Sequence, residues 1–217
     1  MSGGNGRSKP ISIPVVSAHP TAAPSGEPPG ANPMETQPSP AEAWQAKREA
    51  LTQAGHNRDW ATVLRILTDL SSSRRFPEVR KALAQRVWVA LKSDAPGIDV
   101  VTALREMVMT ITPRHELAGP MGALAYFMGR NRQPQHPDRE FAVAMAQQLL
   151  HLICSTQGVG EGEGDFQQWV KENHLEKPDN YISRILEGLE IMVMGGWWFD
   201  RDALQQELLN ANRGGGR

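Results

Sequence analysis

The sequence predicts an all-α fold, and three observations carry that expectation. From residue 41 onward, apolar residues recur three and four positions apart almost throughout, the spacing of an amphipathic helix. No convincing run of alternating β-branched residues, the mark of a half-buried strand, interrupts them. Four aspartates at helix-opening positions, Asp59, Asp99, Asp138 and Asp179, stand roughly forty residues apart. A carboxylate at a helix start accepts hydrogen bonds from free N–H groups and lies at the positive end of the helix dipole. A proline just ahead of it stops the previous segment from continuing as helix.

Taken in order, the first helix is expected over 41–54. The second, over 58–71, carries the stripe Trp60, Val63, Leu64, Ile66, Leu67 and Leu70. A helix over 76–93 repeats the pattern with Val79, Leu83, Val87, Ala90 and Leu91, and one over 98–112 with Val100, Leu104, Met107, Val108 and Ile111. The segment 115–129 holds Gly119-Pro120 near its start. Proline inside a helix costs about 3 kcal/mol, so a break is expected there, with helix from Met121 to Met128. Gly122, Ala123 and Ala125 would let another helix approach closely. Over 138–155 only Ala144, Gln147, Gln148 and His151 form a polar stripe, so this helix is expected to be central and packed on several sides. Asp165 with Gln168 reads as a capping-box-like start for a helix over 165–175. The segment 178–195 carries Tyr181, Ile182, Ile185, Leu186, Leu189 and Val193, and a terminal helix follows over 200–211.

The stretches "ALTQAGHNRDWATVLR" (50–65) and "ALKSDAPGIDVVTALR" (90–105) align without a gap, which makes a weak internal repeat. The prediction is four helical hairpins and a terminal helix, packed as a short HEAT-like array or as an irregular helical bundle. Residues 1–40 are rich in Pro, Gly, Ser and Ala and hold no aromatic residue. They cannot bury enough apolar area to offset the entropy of ordering, so a disordered tail is expected ahead of a single domain over 41–211, with 212–217 frayed.

Composition sets the class. The 217 residues are 40% hydrophobic and 22% charged, with a formal net charge of −1, as in a soluble globular protein. The single cysteine, Cys154, forms no internal disulfide. The N-terminal stretch lacks a secretory apolar core, and the run Phe141 to Cys154 is too short to span a bilayer. A cytoplasmic protein with no membrane insertion is the expectation. Charge is uneven along the chain. Residues 41–93 carry ten Lys/Arg against five Asp/Glu, and residues 161–217 six against eleven. Helix surfaces are charged in any case, but such polarity also suits a protein partner or a head-to-tail second copy.

No catalytic motif stands out, so a non-enzymatic protein without cofactor or metal is expected. His151 and Cys154 share a helix face, yet the other histidines lie elsewhere with no ligand spacing. The loop "GVGEGEGDF" (158–166) lacks the G-K-[ST] of a phosphate loop, and Phe166 stands where a calcium loop needs glycine. Arg74, Arg75, Arg80, Lys81 and Arg86 form the nucleic-acid candidate, since phosphate contact needs several cations on one surface. The strongest contact candidate is "EIMVMGGWWFD" (190–200). Met192 and Val193 continue the core stripe, whereas Ile191 and Met194 point to its other side, and Gly195-Gly196 ends the helix. Ile191, Met194, Trp197 and Trp198 are therefore the expected protein-docking residues. The function expected is a protein–protein interaction module, such as an adaptor, assembly factor or dedicated chaperone. A nucleic-acid-associated regulator is the alternative.

Overall fold

The computed structural model describes residues 38–73 and 78–214. Among these every regular element is helical: α1 (Pro40–His56), α2 (Trp60–Ser72), α3 (Val79–Lys92), α4 (Gly97–Ile111), α5 (Ala118–Asn131), α6 (Arg139–Gln157), α7 (Glu163–Glu172), α8 (Pro178–Met192) and α9 (Arg201–Gly214). The expected tail lies outside the described residues up to position 37. Helix α1 opens where the tail was expected to end. Ser39 caps it with a capping box: its hydroxyl accepts from the Glu42 N–H, and the Glu42 carboxylate accepts from the Ser39 N–H.

The repeat corresponds to two successive hairpins, α1–α2 and α3–α4. Their aspartates act differently. Asp59 is the N-cap of α2 and accepts from the Thr62 N–H at 3.0 Å, which holds its carboxyl below the usual range. Asp99 instead lies inside the first turn of α4, behind Pro96 at the N-cap. Asp179 has the same place in α8, behind Pro178. There the carboxylate acts through the dipole alone.

Packing decides between array and bundle. In a linear array each hairpin touches only its neighbours. Here α8 returns to pack on both α3 and α5, and α9 reaches α3. The result is a bundle around one apolar cluster. Helix α3 is its centre: every residue from Ala82 to Ala90 is buried, on helices α2, α4, α8 and α9. The expectation that 138–155 would be central is corrected. Helix α6 packs chiefly on α5 and α4 and fully buries just Ala142, Ala146, Leu149 and Ile153. Phe141 and Leu152 face outward, Phe141 with 63% of its surface exposed, while Met145, Leu150 and Cys154 are partly buried against the core.

Two further expectations shift. No break occurs at Gly119-Pro120, because α5 begins at Ala118 and Pro120 falls in its first turn, where N–H groups have no intrahelical acceptor. Helix α7 starts at Glu163 rather than 165, with Gly162 at the N-cap and no side-chain capping bond, so Asp165 is not its cap. The small residues of α5 do permit close approach: a Cβ on Gly122 would stand 2.6 Å from Ile153 Cδ1 of α6.

Loop junctions are held by long side chains. Arg132, just after α5, donates to the carbonyls of Ala90 (3.0 Å), Leu91 and Ser93 and so satisfies the C-terminal end of α3. Burial pushes its guanidinium pKa down and Asp94 opposes that shift. Arg132→Ala leaves these carbonyls without a protein donor. It is expected to cost about 1–3 kcal/mol, read as a lower denaturant midpoint with an unchanged slope.

Candidate functional site

The segment joining α8 to α9 divides sharply into exposed and buried parts. Helix α8 ends at Met192, and Gly195 and Gly196 follow with φ of +102° and +105°. Glycine adopts that region without the penalty other residues meet. The chain thereby reverses from an exposed face into the core. On the near side Ile191 is 66% and Met194 78% exposed. On the far side Trp198 and Phe199 are each 6% exposed, and Trp197 is half-buried.

The buried part is held from three helices. The Trp198 N–H donates to Gln85 Oε1 of α3 at 2.9 Å, and the Thr52 hydroxyl of α1 donates to the Trp198 carbonyl at 2.9 Å. Gln85 is itself fully buried. The Trp44 ring meets Trp198 edge-on at 6.1 Å, and Trp60 meets Phe199 in the same way. Trp88 stacks at a tilt against Trp197 at 5.1 Å. Arg48 and Lys81 stand over the Trp198 ring at 4.7 and 5.6 Å, and Arg201 over Trp197 at 5.5 Å. Gly55 of α1 is the close approach that admits this packing, since a Cβ there would lie 2.7 Å from Phe199 Cβ. The indole N–H of Trp198 is buried without a hydrogen-bond partner.

The four residues expected to dock a partner therefore separate. Ile191 and Met194 share an exposed face with Arg184, Glu187 and Glu190, and Arg201 pairs with Glu190. Trp198 is core, and Trp197 lines the core with one side covered by Arg201. Sequence reasoning missed Gln85 and Thr52. Both are polar residues in helices, and nothing in their own helices marks them as partners of a segment more than a hundred positions away.

The basic set separates too. Arg74 and Arg75 lie outside the described residues. Arg80 is exposed, while Lys81 is half-buried over the Trp198 ring. Arg86 is buried and joined to Glu106 of α4 and to the Ser71 hydroxyl of α2, so it ties three helices together. Of the three described residues, only Arg80 faces solvent fully.

His151 and Cys154 line a groove of about 920 Å³ between α6 and the 159–166 segment. His151 is exposed, and partial burial pushes the Cys154 thiol pKa up, which keeps it in the less reactive protonated form. Trp169 anchors α7 there by donating to Gln157 Oε1 at 3.0 Å. Among the described residues no group of three or more His, Cys, Asp or Glu is arranged to hold a metal ion, and no helix is long and apolar enough to cross a membrane. No protein-family model, no curated protein and no solved structure matches the chain.

The split predicts opposite responses to substitution. Trp198→Ala and Gln85→Ala are expected to destabilise by about 3–5 and 1–3 kcal/mol respectively. Ile191→Asp and Met194→Asp are expected to stay within about 0.5 kcal/mol of the parent. Chemical denaturation followed by tryptophan fluorescence distinguishes the two groups.

Proposed function

We propose that the protein is a non-enzymatic interaction module that docks a protein partner on the outer face of α8. The observation that carries the reading is the pair Ile191 and Met194, two large apolar side chains exposed three positions apart at the end of α8 and in the turn that follows it. Helix α8 is fixed from below by Tyr181, Ile185 and Leu189 in the core. The turn beyond it is fixed by Gln85 and Thr52. An apolar pair on a preorganised element loses little conformational entropy on binding, and a large exposed apolar patch marks interaction sites. Glu187 and Arg184 beside it supply the polar rim that sets orientation. Adaptor, assembly factor and dedicated chaperone all fit such a surface.

The test is affinity purification of the full chain and of an Ile191→Asp/Met194→Asp double variant from the native host. The reading predicts a stoichiometric protein recovered with the parent and reduced at least about tenfold with the variant, whose melting temperature matches the parent. Recovery of the same proteins in the same amounts with both chains contradicts it.

A further inference from the structure

A second apolar surface lies on the seam between α4 and α6. Thr102 Oγ1 of α4 stands 3.8 Å from Met145 Sδ of α6, and Gln157 Nε2 donates to the Pro113 carbonyl at 3.0 Å. The first contact sets residues 43 positions apart side by side, and the second joins the end of α6 to the segment just past α4, so the two helices run parallel. Applying that register, Ile98 falls level with Phe141, Arg105 with Gln148 and Met109 with Leu152. Within each helix these positions recur at i, i+4, i+7 and i+11 and share one face. Met109 is 54% exposed, and Phe141 and Leu152 are exposed as well. Helix α5 packs on both helices from behind, where a Cβ on Gly129 would meet Ala142 and Val101. Of the described helices, α5 is the one in extensive contact with both. The seam is about 16 Å long at 1.5 Å per residue. Arg105 at its middle has neither an ion pair nor a hydrogen bond to any described side chain.

The outer face of α8 complements this seam in apolar character and charge. Arg184, Glu187 and Ile191 follow one another at i, i+3 and i+7 over about 10 Å of α8, and Met194 stands exposed in the turn just beyond its end. With α8 laid parallel to α4 and Glu187 opposite Arg105, Ile191 and Met194 fall at the Met109 and Leu152 end. Arg184 falls toward the end that carries the exposed Glu140. Helix α5 lies between the two surfaces, with α8 packed on it and the α4–α6 pair packed on it too. A surface and its complement at different places on one chain make a head-to-tail contact between copies.

We infer that the occupant of the α4–α6 seam is the outer face of α8 from a second copy of this chain, with Glu187 paired to Arg105. The inference rests on the α8 reading above and names its partner. Such a contact is heterologous, so it builds rings or open chains of copies rather than a closed two-fold dimer.

Sedimentation equilibrium of the purified full chain over a range of concentrations tests it, with Arg105→Glu, Glu187→Arg, Met109→Asp and the double swap Arg105→Glu/Glu187→Arg alongside. The expected result is an average mass that rises with concentration beyond that of a dimer. Each single variant should weaken the association at least about tenfold, and the swap should restore most of it. Circular dichroism and melting identify any variant that has lost its fold, and the reciprocal swap reports on pairing in a background where both sites are exposed. A parent that is monomeric at every concentration, single variants that associate as the parent does, or a swap that restores nothing overturns the inference. If the parent is monomeric while the affinity purification recovers a different protein through Ile191 and Met194, the self-docking fails and the α8 reading stands. If neither experiment yields a partner, both fail.

Discussion

The hydrogen bond from the Trp198 N–H to Gln85 Oε1 is the contact on which the arrangement around the C-terminal helices depends. It lies at the centre of the bundle, between α3 and a segment 113 residues further on. A buried backbone donor without a partner costs about 1–3 kcal/mol, and a fully buried glutamine is costly for the same reason. Each satisfies the other. Thr52 holds the Trp198 carbonyl, and the aromatic rings of α1, α2 and α3 close around the turn.

That fixed turn gives α8 its two faces. The inner face packs through Tyr181, Ile185 and Leu189, and the outer face ends in Ile191 and Met194. Gly195 and Gly196 sit at the border, where positive φ turns the chain inward. Without the buried anchor beyond them, the apolar pair would belong to a loose chain end, and binding there would first have to order it. Stability and the proposed docking are thus linked through one short segment, although different residues would carry each.

Much of the fold was legible in the sequence because it is written in local periodicity. Helix positions followed from apolar spacing, from aspartates and prolines at helix starts, and from Gly195-Gly196 at a helix end. The outward face of Ile191 and Met194 also followed, since it needs only 100° per residue. What was not legible depends on which helices meet. The apolar circumference of α6 suggested a central helix, yet Phe141 and Leu152 are exposed, and Met145, Leu150 and Cys154 are only partly buried. The charges and small residues of α3 disguised the true centre: Arg86 is buried because Glu106 of α4 faces it, and Gln85 because Trp198 does. The tryptophan pair could be assigned to neither core nor surface from its neighbours alone, because its environment comes from α1 and α3.

Native-state hydrogen exchange at the Trp198 amide tests the central claim most directly. The account predicts that this proton exchanges only through global unfolding, with a protection free energy equal to that from denaturant titration. Exchange at a rate close to that of an unfolded chain, while the amides of α3 stay protected, would show that the turn is not anchored in the core and would contradict it.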